Sequence, residues 1–464
     1  MNTPTVLDLA LWEILHAINP TKEDWDKRLQ VIDEFRAVVS TVESLRGATV
    51  EPFGSFLSNL FTRWGDLDIS VDLTNGSYIA SAGKKHKQAL LWEVLKALRK
   101  KGGLRWSQLV SNARVPVLNF ERNYLSISCD VSISNLSGQM KSKSLLWISL
   151  IDPRFRDMVL LVKEWAKAQD INNPKAGSFN SYSLSLLIIF HFQTCDPAIL
   201  PPLRELYPRN MADDLTGVRA EVESQLEEIF VYNIGQFKYY RKPNHSSLTE
   251  LFITFLEKFS DIGQKAENHG ICVYTGEWEA IKTNTRWLPK TYSIFIEDPF
   301  EQPENTARAV TSGQLTRITE VFKTTLARLM NPKANRPSLI STLVRAEISS
   351  FLLGTNNLSS PFERYPGPRG KMRKDMYSTL PFQYQVQKTR PGNHRNKASW
   401  MPMHVSEKDE VPQDPDPVEN GPRLSTKIDK TNLPKNVNRQ RPVQTTQGRG
   451  QQMWKPKVPE TSNT

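Results

Sequence analysis

Pro52-Phe-Gly-Ser-Phe56 and, shortly after it, Arg63-Trp-Gly-Asp-Leu-Asp-Ile-Ser-Val-Asp72 decide how this chain reads. Asp66 and Asp68 alternate with Leu67, Ile69 and Val71. A strand points successive side chains to opposite faces, so both carboxylates share one face and the aliphatic set turns to the core. A second run, Leu125-Ser-Ile-Ser-Cys-Asp-Val-Ser-Ile133, repeats the pattern with Ile127, Cys129, Val131 and Ile133 inward and Asp130 on the polar face. Three carboxylates clustered on a sheet form a hard-oxygen donor set that suits Mg²⁺, which keeps waters and completes its octahedron with substrate phosphates. Such a set belongs to two-metal phosphoryl transfer. Gly54-Ser55, eleven residues before Asp66, is expected to open a helix through Ser58 and Phe61, whose amides and hydroxyl hold outgoing phosphates. Asp72 ends the strand and reads as a turn acid. Gly83-Lys-Lys85 is no P-loop, because the glycine spacing back to Gly76 is wrong and no Ser or Thr follows the lysine.

The rest of the chain sets the context. Its 464 residues are 39% hydrophobic and 23% charged, with a net charge of +11, which describes a basic globular chain of two or three domains. The cysteines are Cys129, Cys195 and Cys272, with no CxxC pair, so a disulfide framework and a structural zinc site are excluded. No apolar run is long enough to span a membrane, and the start of the chain lacks the basic segment of a signal peptide. The expected location is therefore the cytoplasm, with the nucleus as a second compartment.

Residues 11–18 and 25–45 read as amphipathic helices, residues 50–133 as strand-rich, and residues from 152 onward as helical. After about residue 353 Pro, Gln, Asn, Lys and Arg replace the aliphatics, and residues 361–464 hold 19 basic against 10 acidic residues. This tail is expected to be disordered and to carry most of the positive charge. Its basic clusters and Trp400 and Trp454 suit phosphate contact with occasional base stacking; a merely solubilising tail is the alternative.

Taken in series, these motifs resemble the polymerase-β-type nucleotidyltransferases, and among them the terminal uridylyltransferases and poly(A)-polymerase-like enzymes. Their G-S, D-x-D and D pattern is Gly54, Ser55, Asp66, Asp68 and Asp130. Residues 44–73, 179–186 and 296–301 are similar to the plant enzymes that uridylate unmethylated small RNAs. The resemblance implies an α+β architecture: N-terminal helices (1–45) packed on the helical domain, a nucleotidyltransferase catalytic domain (46–145), a helical poly(A)-polymerase-associated domain (146–350), and the tail (351–464). It implies transfer of UMP from UTP to the 3′ end of short single-stranded RNA, microRNA or siRNA and cleavage fragments included, marking them for degradation. Mg²⁺ is the implied cofactor, with Mn²⁺ as substitute, and Argonaute or another RNA-silencing protein the implied partner. Poly(A) addition is the runner-up within the same chemistry, and a non-enzymatic RNA-binding adaptor is the reading from another class.

Further roles follow only from the resemblance. Asp152-Pro153 caps a helix whose Phe155, Val159, Val162 and Ala166 form the buried stripe, leaving Lys163 and Lys167 on an exposed face. The family assigns such lysines to the triphosphate; a solvated lysine face is the alternative. Asn180-Ser-Tyr182 opens an apolar helix, and the resemblance gives Ser181 to phosphate contact and Tyr182 to stacking on the base. Asn135 matches a family asparagine near the ribose, an ordinary turn asparagine being the alternative. Asp298 and Glu301 lie in a loop that borders the base in relatives. Two positions depart from the pattern: Glu304 stands where some uridine-selective relatives have histidine, and Lys141 where many have asparagine.

Overall fold

The computed structural model describes residues 5–354 apart from 74–78, 80–81, 124–125 and 289–290. The expectations for the tail beyond 354, and for Leu125 at the start of the second aspartate strand, lie outside the described residues.

A five-stranded sheet carries the aspartates. Its strands are β1 (Thr49–Phe53), β2 (Leu67–Asp72), β3 (Leu104–Val110), β4 (Val117–Arg122) and β5 (Ser128–Ile133), in the order β1-β2-β5-β4-β3. β2 and β5 run parallel at the centre, with Asp68 opposite Asp130, and the other neighbours are antiparallel. The alternation read from the sequence holds: Leu67, Ile69, Val71, Cys129, Val131 and Ile133 are all fully buried. Central placement explains why β2 and β5 carry these aliphatic sets while the outer β3 has no fully buried residue.

Two helices cover the inner face of the sheet, α2 (Lys22–Val39) through Val31, Ile32, Phe35 and Val38, and α4 (Lys84–Lys101) through Leu90, Leu91, Val94, Leu95 and Leu98. α4 adds a helix within the strand-rich segment, its leucines and valines recurring with the 3.6-residue period of a helix. The placement of the N-terminal helices is corrected. α1 (Val6–Ile18) does join the helical core, burying Leu11, Ile14 and Ile18, but α2 belongs to the sheet. Both helices start with capping boxes, Thr5 with Asp8 and Thr21 with Asp24. The second helix stops at Val39, and a short 3₁₀ turn, Glu43–Leu45, leads to β1.

Asp72 is no turn acid. Only 4% exposed, it accepts hydrogen bonds from Ser70 Oγ at 2.5 Å, Gln139 Nε2 at 2.9 Å and Arg219 at 2.7 Å. It therefore ties β2 to α5 (Leu136–Ser149) and to the helix Arg219–Tyr240. The helical core is built on α6 (Pro153–Ala168) and α7 (Ser181–Gln193), which pack together. α7 buries Leu184, Leu186, Leu187, Ile188, Ile189, Phe190 and Phe192 all round its axis, as a helix enclosed by others must.

Candidate active site

Gly54 lies at the turn from β1 into α3 (Gly54–Leu57), a single helical turn rather than the longer helix expected from the sequence. Asn59, in the left-handed region at φ 56°, redirects the chain there. Gly54 itself has φ +64°, and a Cβ on it would stand 1.9 Å from Asp68 Oδ2. Both the backbone conformation and the close approach demand glycine. Its amide donates to Ser142 Oγ of α5 at 2.8 Å, and the Ser55 amide donates to Asp68.

The strand register sets Asp68 opposite Asp130, and Asp66, one residue before β2, acts on both through its charge. Burial raises the Asp68 carboxyl to about 7, reinforced by the charges of Asp130 and then Asp66, while Lys163 opposes the shift. Burial also raises Asp130; the amide of Asn119, 2.5 Å from Asp130 Oδ1, counters it, and Asp66 adds to it. Asn119 pairs with Asp130 across β4 and β5. Like charges forced together in a desolvated place are relieved by a cation. Among the described residues no three His, Cys, Asp or Glu side chains stand ready as a complete metal-ligand group. It is the mutual repulsion of Asp66, Asp68 and Asp130, together with their hard oxygens, that fits a divalent ion. Cys129 beneath them is held as thiol, burial raising it to about 12.

Lys163 and Lys167 turn toward this cluster, which corrects the exposed face expected for them. Lys163 is 9% exposed and donates from Nζ to the Leu60 carbonyl at 2.9 Å. Burial lowers it to about 8, Lys167 adding to the effect while Asp68 and Asp66 oppose it. Burial lowers Lys167 too, with Arg345 next in effect. The reason is the depth of α6, where Arg154 to Ala166 are all buried; its charged groups find partners, as in Arg156 with the Asn59 carbonyl and Glu164 with Arg345.

A second cluster is made by Lys141, Tyr182, Asp298 and Glu301. The Tyr182 hydroxyl donates to Asp298 Oδ1 at 3.2 Å, and burial, then Asp298, raise its pKa far above the ordinary phenol value. Lys141 Nζ lies 2.5 Å from Asp298 Oδ2, 3.0 Å from Glu301 Oε2 and 5.5 Å from the Tyr182 ring centre. Arg114 and Ser137 also bond Glu301. Burial would raise Glu301, but Lys141 and these two donors hold it down at about 2. α5 joins the two clusters: Ser142 meets Gly54, and the adjacent Lys141 meets Asp298 and Glu301.

The remaining site residues have local duties in this state. Asn135 caps α5, accepting from the Gly138 amide at 3.2 Å. Asn180 caps α7, which accounts for a residue the apolar helix pattern left unexplained, and Ser181 Oγ accepts from Asn172 at 3.1 Å. Reading the sequence missed Asn119, Ser142, Lys175 and Arg28. Lys175 acts on Asp130 from a 3₁₀ turn. Arg28, 2% exposed on α2, donates to the carbonyls of Arg63 at 3.0 Å and Gly65 at 2.6 Å, and so fixes the loop that carries Asp66. The available signals were weak ones, a lone asparagine inside β4 and an arginine on an otherwise apolar helix face.

Parallel aspartate strands, a glycine turn against them and a helical lobe presenting lysines and a tyrosine define a nucleotidyltransferase of the poly(A)-polymerase type. The family model for the central palm domain of mitochondrial-like poly(A) RNA polymerase matches residues 7–149, a span that holds α1, α2 and the five-stranded sheet. Protein HESO1 of Arabidopsis thaliana is 52% identical over 410 residues, 88% of this chain and 80% of that one. Poly(A) RNA polymerase cid11 of Schizosaccharomyces pombe is 27% identical, covering 67% of this chain and 60% of its own. A solved cytoplasmic RNA terminal U-transferase shares the fold at TM-score 0.58 and 22% identity, covering 73% of this chain and 98% of its own. The chain belongs to the HESO1 family of plant terminal uridylyltransferases, enzymes of the nucleotidyltransferase class that use a divalent metal.

Proposed function

We propose that the chain transfers UMP from UTP to the 3′-hydroxyl of short single-stranded RNAs whose terminal ribose is unmethylated, with Mg²⁺ as the ion. The observation that carries this reading is the convergence of Asp66, Asp68 and Asp130 on one another, with Lys163 and Lys167 beside them. When bound between these carboxylates, the ion supplies charge neutralisation at the reacting phosphate and a lowered pKa for the attacking hydroxyl. Asp130, one of the residues that would hold the ion, assists deprotonation of that hydroxyl. Lys163, Lys167 and the Gly54–Ser55 turn hold and neutralise the β- and γ-phosphates as pyrophosphate leaves. Tyr182 offers a ring for the base, and the Asp298–Glu301 loop borders it.

The test is extension of a labelled short RNA by the full chain with Mg²⁺ and each nucleoside triphosphate separately, on free and 2′-O-methylated ends. Extension mainly with UTP on the free end supports the reading, and loss of it in Asp66→Ala/Asp68→Ala assigns the aspartates. Preference for ATP, or equal use of both ends, counts against it. Cytoplasmic action beside RNA-silencing proteins such as Argonaute belongs to the same proposal and is tested by co-purification with the full chain and with a form ending at 354.

A further inference from the structure

A polar cavity of about 360 Å³ opens beside Asp66. None of its lining residues belongs to α5, α6 or α7. It lies instead between α2, the loop at Trp64, the end of β4 and the start of β5, with the hydroxyls of Ser126 and Ser128 in its wall. A volume of this size is that of a ligand site.

Two partly exposed tryptophans stand at it, Trp64 with Arg63 and Arg345 each 5.9 Å from its ring centre. Trp64, which lines the cavity, is 50% exposed, and Trp106 is 41% exposed and donates its indole N–H to the lining residue Glu121 at 2.8 Å. Large partly exposed rings around a polar cleft are a stacking surface for single-stranded nucleic acid, whose bases all present a flat π-face. Cations accompany them: Lys27 and Arg63 line the cavity, and Arg105 pairs with Glu121 at 2.8 Å. Of the acidic residues there, Asp24 is matched by Arg63 at 3.0 Å and Glu121 by Arg105 and Trp106, while Asp66 belongs to the aspartate cluster.

The platform is rigid. Buried Arg28, which also lines the cavity, grips the carbonyls on either side of Trp64 and keeps its Nε without a hydrogen-bond partner. Asp66, two residues beyond Trp64, shares that loop, so whatever stacks on Trp64 is held in fixed relation to the carboxylates.

We propose that this cleft binds the single-stranded segment of the acceptor RNA just upstream of its reacting 3′-hydroxyl, with bases stacked on Trp64 and Trp106 and phosphates against Lys27, Arg63 and Arg105. The proposal rests on RNA being the acceptor. It gives the palm its own acceptor site, whose lining shares Asp66 with the catalytic cluster and includes none of Gly54, Ser55, Lys163, Lys167 and Tyr182. Stacking and phosphate contact make that site indifferent to the RNA sequence.

The experiment compares full-length wild type with Trp64→Ala, Trp106→Ala and the two phenylalanine variants, measuring KM for UTP, KM for a fifteen-nucleotide single-stranded RNA, and the Kd of that RNA without nucleotide. Each alanine variant is expected to raise RNA KM and Kd about tenfold, the loss of one stacked base. KM for UTP stays constant, and phenylalanine restores RNA binding. RNA carrying 5-iodouridine two or three nucleotides from its end crosslinks to Trp64 or Trp106. Unchanged RNA Kd in both alanine variants, no rescue by phenylalanine, or crosslinks confined elsewhere would overturn the proposal. A wild type that binds the RNA at these rings but never extends it with UTP would instead sink the functional reading and leave the binding site standing.

Discussion

Replacing Lys141 with methionine removes the cation that two buried carboxylates share. The Asp298 side chain is 5% exposed and the Glu301 side chain 16%. Holding the Glu301 carboxyl at about 2 against its ordinary 4.5 corresponds to about 3 kcal/mol, at ~1.36 kcal/mol per pH unit. That stabilisation is shared among Lys141, Ser137 and Arg114. Loss of Lys141 also strips Asp298 of its ion pair, and breaking one partner of a buried pair costs about 3–5 kcal/mol. Because Arg114 stays with Glu301 at 2.9 Å, the expected destabilisation of Lys141→Met is about 2–3 kcal/mol. The melting temperature should fall by roughly 3–4 °C. The double variant Lys141→Met/Glu301→Gln should recover at least about 1 kcal/mol relative to the sum of the two single changes, since it removes the stranded charge along with its partner. Thermal denaturation of the four proteins at pH 7.5 closes the cycle, and KM for UTP should rise in Lys141→Met as the loop at Asp298 loosens. A melting temperature lowered by less than about 1 °C, or additivity within ~0.5 kcal/mol, would refute the claim that Lys141 organises this cluster.

Gly54→Ala should lower kcat by about 100-fold with little loss of fold, because the added methyl, 1.9 Å from Asp68 Oδ2, forces that carboxylate to move by more than an ångström; kcat within threefold of wild type would contradict the close approach. Arg28→Met leaves the Arg63 and Gly65 carbonyls without their buried donor, so stability should drop by about 1–3 kcal/mol and kcat should fall with KM for UTP unchanged; urea denaturation and steady-state kinetics check both. Burial, with Lys258, lowers His191 to about 3 from 6.5. The unfolded chain therefore takes up the proton first, and the stability held by the neutral ring is full above about 6.5 and lost as pH falls toward 3. Denaturation midpoints from pH 7 to pH 4.5 should decline in wild type and flatten in His191→Leu. Glu301 follows the same sign at lower pH, its contribution full above 4.5 and lost toward 2.

Where local chemistry dictates structure, the sequence by itself determined the outcome. The alternation around Asp66, Asp68 and Asp130 fixed which face of β2 and β5 is buried, since a strand shifted by one residue would expose its aliphatics. Asp152, ahead of Pro153, is a capping residue legible from its neighbours alone. The glycine at 54 and the three acids were legible as one chemical group because that chemistry needs those residue types in that order. Tertiary structure alone decided what depends on groups far apart in the chain. α2 looked like a partner of α1 by proximity but found its apolar surface on the sheet, across a core that includes Phe35 and Phe120. Lys163 and Lys167 looked solvated because a helix with lysines at i and i+4 usually turns them to water; only the packing of α6 against the loop at Leu60 placed them facing the aspartates. Lys141 was visible as a departure, yet its meaning depended on Asp298 and Glu301, more than 150 residues away. Electrostatic partnership across such separations leaves no local periodicity to read, because it is fixed by where the folded elements bring the charges and not by the order in which the chain presents them.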